Sequence, residues 1–214
     1  TLEYIKDTKI SFIFDVGANK GQFCLIANYL FPEAEIFAFE PLDAPAKTFK
    51  NLFSRNSLIK FYKLALSTKN ENLKIYETNK NDSSSLLIPT KLNNEYFAVK
   101  LKKEHIVKTT SLNNWIFLNE NNFEIRNALL KIDVQGFELQ VLKGSDKVLQ
   151  KFNYLIIELS HQILYAKQPT AKKVIDYLSH NGFNLIEIYN KAYEKSGKII
   201  QADYLFKNEN KNLN

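Results

Sequence analysis

The stretch FIFDVGANKGQF, residues 12–23, decides the fold prediction for this chain. It begins as an apolar run, turns through Asp15, Gly17 and Gly21, and continues into CLIANYLF, whose apolar residues recur at helical spacing. An apolar strand that breaks at glycines and re-emerges as a helix is a common way to hold a small-molecule cofactor. We therefore interpret this stretch as the first strand, a binding turn and the first helix of an α/β domain.

Strand-like and helix-like segments alternate along most of the chain. Strands are expected at residues 11–16, 34–40, 58–67, 72–79, 127–134, 154–160, 184–190 and 198–208. Helices are expected at residues 21–31, 43–53, 136–152 and 170–183, with Asp43 as a possible N-cap and Gly182 at the last helix end. This alternation predicts an α/β fold, a Rossmann-like, doubly wound, mostly parallel sheet covered on both faces. Only KAYEKSGK separates the last two strands, too few residues for a parallel crossover, so we expect a C-terminal antiparallel strand.

The middle of the chain is less regular. Residues 79–94 are rich in Asn, Ser and Lys and indicate a loop, residues 96–112 a strand with a short connection, and residues 112–123 a roughly helical segment. Within the loop, NDSSSLL at 81–87 is open to two interpretations, a lid over the cofactor or a sugar contact, and a flexible linker. Long loops in compact domains are often functional, so we favour the lid.

Composition sets outer bounds on the class of protein. The 214 residues, with 45% hydrophobic and 24% charged residues, predict one domain at 1–207 and a frayed polar tail at 208–214. No apolar run approaches the ~18 residues of a membrane span. The single Cys24 excludes an internal disulfide and a Cys-rich metal site, and a cytoplasmic protein is expected. The net charge of +6 comes from scattered lysines, which either steer an anionic substrate or reflect a compositional bias; we favour the bias.

Polar residues and glycines follow several of the expected strands. In doubly wound sheets a ligand binds beyond the carboxyl ends of the strands, where these residues would meet. The candidate site residues are Asp15, Gly17, Asn19, Gly21, Glu40, Pro41, Ala65, Asp133, Glu158 and His161.

The residues of the first turn suggest which cofactor binds there. The glycines are spaced Gly-x-x-x-Gly, whereas a dinucleotide loop reads Gly-x-Gly-x-x-Gly, and Asn19 stands where its second glycine would be. Asp15 would repel phosphates but suits a cofactor with a cationic, amine-bearing end, which S-adenosylmethionine has. Glu40 is placed to accept the hydrogen bonds of a ribose diol. The alternatives are a purely structural turn for the glycines and a solvated acid for Glu40.

Five stretches occur together in order: FDVGANKGQF, FAFEP, LLKIDVQGFELQVLKG, LIIEL and GKIIQADYLF. Over roughly residues 10–207 the chain resembles the FkbM family of S-adenosylmethionine-dependent methyltransferases. The resemblance implies a class I methyltransferase fold, S-adenosylmethionine as the cofactor, and O-methylation of a hydroxyl on a small molecule, sugar or glycan.

The resemblance also implies roles for individual residues. Asp15, Gly17, Asn19 and Gly21 would line the methionine end of the cofactor, Glu40 would hold the ribose, Leu64 and Ala65 would lie near the adenine, and Asp133 would sit near the methyl group and the acceptor. The family usually reads DVEG where this chain reads DVQG. Gln135 would therefore alter the substrate or weaken activity if that Glu binds a metal or activates the acceptor, and would suffice if the side chain only braces the turn.

A hydroxyl acceptor needs a base, and the sequence offers several. Asp133, Glu158 and His161 are the catalytic candidates, with a structural hydrogen-bond role as the alternative for Glu158 and a surface position as the alternative for His161. For Glu138, in the first turn of its helix, a capping role is favoured. A metal held by the three catalytic candidates is the alternative, but converging acids in this fold more often bind the acceptor, so no metal is predicted.

Other functional classes are less well supported by the residues. A cofactor-binding module that has lost catalysis is the alternative that Gln135 motivates. An NAD-dependent oxidoreductase is disfavoured by Asp15 and the missing Gly-x-Gly. A nucleic-acid methyltransferase is disfavoured because the chain has no Asn/Asp-Pro-Pro-Tyr-like motif and no Arg-rich face. The expected partner is a small-molecule or glycan hydroxyl acceptor.

Overall fold

The computed structural model describes residues 2–119 and 124–211, so the end of the helical segment expected at 112–123 lies outside the described residues. The strands are β1 (Phe12–Val16), β2 (Glu35–Phe39), β3 (Ile59–Tyr62), β4 (Ala65–Leu66), β5 (Glu71–Thr78), β6 (Leu101–Thr110), β7 (Ala128–Ile132), β8 (Phe152–Ser160), β9 (Phe183–Tyr193) and β10 (Ile199–Asn208). The α-helices are α1 (Gln22–Leu30), α2 (Asp43–Leu52), α3 (Lys91–Phe97), α4 (Leu112–Asn119), α5 (Glu138–Lys143) and α6 (Ala171–His180).

The main sheet has seven strands in the order β3-β2-β1-β7-β8-β10-β9. Its core strands pair in parallel, and β10 pairs antiparallel with both β8 and β9. The α/β fold, with its mostly parallel sheet and C-terminal antiparallel strand, is therefore confirmed. The central strands are apolar on both faces because helices cover both, as the fully buried ALLKI of β7 illustrates.

Alternation along the strands assigns each side chain to one face of the sheet. Phe14 and Leu130 belong to a core cluster on one face, which also holds Trp115 of α4. Ile13 and Leu129 belong to the cluster on the other face, together with Cys24 of α1. The polar side chains near the carboxyl ends of the strands alternate between the two faces in the same way. Only those on the same face can lie close to one another.

A second, three-stranded sheet in the order β4-β6-β5 lies outside the main one. The prediction of a single strand at 58–67 was wrong. The chain turns after Tyr62, and the segment forms β3 in the main sheet and β4, which pairs with β6. The strand expected at 72–79 is confirmed as β5, antiparallel to β6. This sheet brings β4, and the polar loop that follows β5, alongside the carboxyl edge of the main sheet.

Three local expectations need correction. Asp43 is the first residue of α2 and pairs with Lys63, while Leu42 occupies the N-cap position without a side-chain cap. The helix expected at 136–152 ends at Lys143, and Gly144 follows it at a point where a Cβ would lie 2.0 Å from the carbonyl oxygen of Ser67. The loop expected at 79–94 contains a 3₁₀ turn at Asn81–Ser83 and ends at Thr90, which caps α3.

The polar C-terminal segment is ordered further than its composition suggests. Asn208 is the last residue of β10 and is fully buried, with its side-chain amide donating to the carbonyl oxygen of Phe152 at 3.0 Å. The boundary expected at residue 207 therefore falls inside a strand. Among residues 2–119 and 124–211, no helix is long and apolar enough to cross a membrane. The cytoplasmic location stays a prediction.

Candidate active site

Two adjoining cavities lie at the carboxyl edge of the main sheet. The narrower holds about 620 Å³ of empty space and the wider about 1490 Å³. Gly17, Asn19, Asp82 and Asp133 line both of them. The two cavities therefore meet at the turn after β1 and at the end of β7, which is where the sequence predicted a ligand.

Glu40 lies at the edge of the narrower cavity with a fixed carboxylate. Its Oε2 accepts the backbone N–H of Asn19 at 3.1 Å, and its Oε1 accepts that of Leu42 at 2.8 Å. Burial raises its pKa to about 7, against the lowering effect of these two donors. Each oxygen keeps a second lone pair for a ligand donor.

About half of the residues that line the narrower cavity are apolar. Its apolar side chains are Val16, Phe39, Pro41, Leu42, Ala65, Leu66, Ile75, Leu86 and Val134. The predicted residues Pro41 and Ala65 are thus in the wall, but Leu64 is not among the lining residues. A flat aromatic base suits such a slot, with Glu40 at its polar end.

The two glycines of the first turn have structural reasons to be glycine. Both have left-handed backbone, with φ of 81° at Gly17 and 96° at Gly21. A Cβ on Gly17 would lie 1.9 Å from the backbone oxygen of Asp133, and one on Gly21 would lie 2.5 Å from the ring of Phe53. Gly17 lines both cavities, whereas Gly21 packs against α2 and lines neither.

Asp15 is fully buried beneath the turn and lines neither cavity. It is register partner to Lys131 on the neighbouring strand, and Lys131 Nζ lies 3.1 Å from its Oδ1. Cys24 of α1 donates its thiol to Oδ2 at 3.1 Å. Burial works to lower the pKa of Lys131, but the carboxylates of Asp15 and Asp133 outweigh it and raise that pKa. Asp15 thus anchors Lys131 rather than facing a ligand.

Asp133 and Glu158 lie close together at the ends of β7 and β8. Gln135 Nε2 lies 2.8 Å from Asp133 Oδ1 and 2.6 Å from Glu158 Oε2. The other oxygen of Asp133 lies 3.5 Å from Lys131 Nζ. Burial raises the pKa of Glu158 well above its usual range, and the charge of Asp133 adds to this. Both carboxylates line the wider cavity.

His161 is not brought to this site. Glu158 lies within β8, whereas His161 follows the last residue of that strand, Ser160. The His161 ring contacts the hydroxyl of Tyr204 at 2.5 Å, and Tyr204 belongs to the core cluster on the face opposite α1. His161 lines neither cavity.

The loop at 81–86 forms one wall of the narrower cavity. Ser85 fixes it, because its hydroxyl donates to the carbonyl oxygen of Gln135 at 2.7 Å and accepts the N–H of Leu87 at 3.0 Å. The Tyr165 hydroxyl also lies 2.8 Å from the carbonyl oxygen of Ser83. The loop therefore forms a wall of the cavity that hydrogen bonds hold in place.

Glu138 braces the turn between β7 and α5. Its Oε1 accepts the backbone N–H of Gly136 at 2.9 Å and that of Val134 at 3.3 Å. Burial raises its pKa to about 7. Its contacts agree with the structural role favoured from the sequence.

Sequence reasoning missed three residues of the site: Lys131, Tyr165 and Gln201. Lys131 had a recognisable signal, since it is an ionisable residue within an otherwise apolar buried strand. No sequence signal indicated Gln201 or Tyr165. Gln201 contacts Glu158, and Tyr165 contacts Gln135, each from a segment distant in sequence.

The residues present fit S-adenosylmethionine. At the junction of the cavities, the buried Oδ1 of Asn19 has no hydrogen-bond partner among the described residues. The charged residues in the lining of the wider cavity are five acids, Glu3, Asp82, Asp133, Glu158 and Asp203, and one cation, Lys131. A sulfonium and an ammonium suit this lining, whereas a pyrophosphate would be repelled. Within residues 2–119 and 124–211, no group of three or more His, Cys, Asp or Glu side chains is arranged to hold a metal ion.

Known proteins with similar structures support the fold class. The structure of the methyltransferase FkbM from Methylobacillus flagellatus superimposes with a TM-score of 0.56 at 12% identity, covering 92% of this chain and 44% of that one. A structure from Listeria monocytogenes superimposes with a TM-score of 0.52 at 11% identity, covering all of this chain and 69% of that one.

Sequence comparison identifies the family. The chain is 26% identical over 189 residues to the 2-O-methyltransferase NoeI of Sinorhizobium fredii, covering 85% of this chain and 76% of NoeI. It is 32% identical over 146 residues to Methyltransferase 1 of Beauveria bassiana, covering 64% of this chain and 59% of that protein. The family described as the methyltransferase FkbM domain matches residues 15–185. The chain therefore belongs to the FkbM methyltransferase family.

Proposed function

We propose that this protein transfers a methyl group from S-adenosylmethionine to a hydroxyl of a small molecule, sugar or glycan. One observation is the main support: the fixed carboxylate of Glu40 lies in the wall of the narrower cavity, and that cavity meets, at Asn19 and Asp133, a wider one whose lining includes five acids. The similarity to NoeI, a 2-O-methyltransferase, supports an oxygen acceptor.

The binding roles follow from the lining residues. Glu40 would accept the two hydroxyls of the ribose on the free lone pairs of its carboxylate, while Ala65 and Leu66 contact the adenine. Asn19 and Gly17 would border the methionine end, and Asp133 would attract its cationic groups. When bound, the cofactor supplies an electrophilic methyl group on a sulfonium.

The chemical roles belong to the wider cavity. Asp133 and Glu158, which both line this cavity, would hold the acceptor hydroxyl against the methyl group that bound S-adenosylmethionine would supply. Glu158 accepts the hydroxyl proton at a carboxylate oxygen, since its raised pKa makes it a stronger base than an ordinary glutamate. Asp133, beside it, orients the acceptor. His161, on the opposite face, is not part of this proposal.

Calorimetry tests the cofactor site directly. S-adenosylhomocysteine and NADH would be titrated into the wild-type protein, Glu40→Gln and Glu35→Gln, the last being a control at the opposite end of β2. We expect saturable binding of S-adenosylhomocysteine alone, weakened at least tenfold in Glu40→Gln and unchanged in Glu35→Gln. Binding of NADH, or no binding of S-adenosylhomocysteine, would refute the proposal.

Turnover then distinguishes an enzyme from a binding module. Radiolabelled S-adenosylmethionine would be incubated with a panel of neutral sugars, amino sugars and small alcohols. Label transfer that Glu158→Gln reduces at least a hundredfold would support the assigned base. Cofactor binding without transfer to any of these acceptors would favour the catalytically inactive alternative.

A further inference from the structure

The side chain of Gln135 lies between the two carboxylates of the wider cavity. Its Nε2 donates to Asp133 Oδ1 at 2.8 Å and to Glu158 Oε2 at 2.6 Å, and its Oε1 lies 2.9 Å from the Tyr165 hydroxyl, which it shares with the carbonyl oxygen of Ser83. The reverse orientation of the amide would place its oxygen against two carboxylate oxygens. Both N–H groups of Gln135 are therefore committed to the carboxylates.

A second amide reaches Glu158 from the other side. Gln201 of β10 donates from Nε2 to Glu158 Oε1 at 3.0 Å. Asp203 is the register partner of Glu158 across the antiparallel pair, so Gln201 is a diagonal neighbour on the same face. Each oxygen of Glu158 thus accepts one amide N–H and keeps a further lone pair.

The amides of Gln135 and Gln201 act against the effect of the neighbouring carboxylates, which disfavour the ionised form of Glu158. Two carboxylates that lie this close ordinarily share a proton, because the second charge is disfavoured by the first. Several charged or titratable groups surround Glu158. They are Lys131 in β7, Asp133 directly after β7, Glu138 in α5, Asp203 in β10 and Tyr165 after β8. N–H donors to a carboxylate favour its ionised form, so the two amides counteract the neighbouring acids.

We propose that Gln135 and Gln201 are positioning residues that hold Glu158 at the wall of the wider cavity with its carboxylate able to ionise beside Asp133. The inference deepens the proposed function and rests on it for the role of Glu158 as the base. The amide of Gln135 would then be required because it donates two N–H bonds. A carboxylate at this position could not donate them and would place a third negative charge beside Asp133 and Glu158.

The experiment measures the titration of Glu158 in the ligand-free protein. Glutamate carboxyl carbons would be labelled with carbon-13 and followed by NMR from pH 4 to pH 10, and Glu158→Gln would assign the resonance. The variants are Gln135→Asn, whose amide is one methylene too short and which tolerates left-handed backbone, and Gln201→Val, which suits a strand. Gln150→Asn, an exposed glutamine that bonds Asn181, is the matched control.

We expect the Glu158 midpoint to move up by about one pH unit in Gln135→Asn and in Gln201→Val, and to stay unchanged in Gln150→Asn. An unchanged midpoint in the folded variants would overturn the proposal, and Gln201→Val alone decides if Gln135→Asn does not fold. Calorimetry with S-adenosylhomocysteine on the same proteins keeps the two ideas apart. Wild-type protein that fails to bind it would refute the proposed function while the titration still tests the two glutamines.

Discussion

At the scale of single residues, the ion pair of Asp15 and Lys131 shows how a charge is kept inside the sheet. The two residues are register partners on the face covered by α1, and Asp15 is fully buried. Lys131 also donates to the carbonyl oxygen of Gly17 at 3.2 Å, so the pair fixes the first turn of the site. Breaking a buried pair leaves an uncompensated charge, which is far more costly than losing an exposed pair.

We therefore expect Lys131→Met to lower the free energy of unfolding by about 3 kcal/mol or more. The double variant Asp15→Asn/Lys131→Met should recover a large part of this loss, because the fully buried position 15 then carries no charge, while Asp133 is partly exposed and keeps its bond from Gln135. Lys60→Met, which breaks an exposed pair with Glu35, should cost under about 1 kcal/mol. Urea denaturation measures all three. A loss below 1 kcal/mol in Lys131→Met would contradict the role of the pair.

The raised pKa of Glu40 predicts a pH dependence of cofactor binding. A ribose diol donates hydrogen bonds, so the ionised carboxylate is the binding form. With a pKa of about 7, that form dominates above pH 7 and is lost as the pH falls below it. We expect the affinity for S-adenosylhomocysteine to fall about tenfold from pH 8 to pH 6.

Calorimetry across this pH range checks the expectation. The variant Glu40→Gln cannot titrate at this position, so its weaker binding should lose this component of the pH dependence. Equal affinities of the wild-type protein at pH 6 and pH 8 would show that Glu40 does not bind the ligand in its ionised form.

Period-two alternation explains which candidate residues could be predicted to meet. Asp133 and Glu158 were expected at strand ends and do share a face. His161 follows the last residue of β8, so alternation does not place it; its contact with Tyr204 puts it on the opposite face. The partners Gln201 and Tyr165 depend on strand order and on a long loop, neither of which local sequence patterns specify.

At the scale of elements, the strands of the main sheet were predictable because each is a short apolar run ended by polar residues or glycine. The separation of β3 from β4 was not predictable from the sequence. Apolar residues continue through Leu64, but Leu66 pairs with β6 in the second sheet and not with a strand of the main sheet. Nor did the sequence indicate the early end of α5 or the close approach of Gly144 to Ser67 that follows it. Such contacts between distant segments override local helical spacing.

The loop at 81–86 provides a prediction at this scale. Ser85 is buried and links the loop to the backbone of Gln135, while the Ser83 hydroxyl bonds only the neighbouring Asp82 among the described contacts. We expect Ser85→Ala to speed amide hydrogen exchange across 81–87 and to weaken S-adenosylhomocysteine binding about fivefold, since roughly 1 kcal/mol of hydrogen bonding is lost. Ser83→Ala should change neither quantity. Unchanged exchange in Ser85→Ala would show that other contacts fix the wall.

At the scale of the whole molecule, several buried acids make stability depend on pH. The pKa of Glu40 and that of Glu138 are raised from 4.5 to about 7 in the folded protein, chiefly by burial. Between these values the folded state binds more protons than the unfolded state, so stability falls as the pH rises through this window. Glu77, whose pKa is lowered by His105 and two lysines against its burial, has the opposite effect at more acidic pH.

Glu138→Gln isolates one of these contributions, because a glutamine oxygen can still accept the N–H groups of Val134 and Gly136 but has no proton to release. The wild-type protein should lose stability from pH 5 to pH 7.5, and the variant should lose roughly 2–3 kcal/mol less over the same range. Denaturant unfolding at several pH values, with Glu35→Gln as the exposed control, measures the difference. Parallel curves for the wild type and Glu138→Gln would mean that Glu138 has an ordinary pKa in the folded protein. A steeper fall in the variant would reverse the sign and place the excess protons of the folded state on other acids.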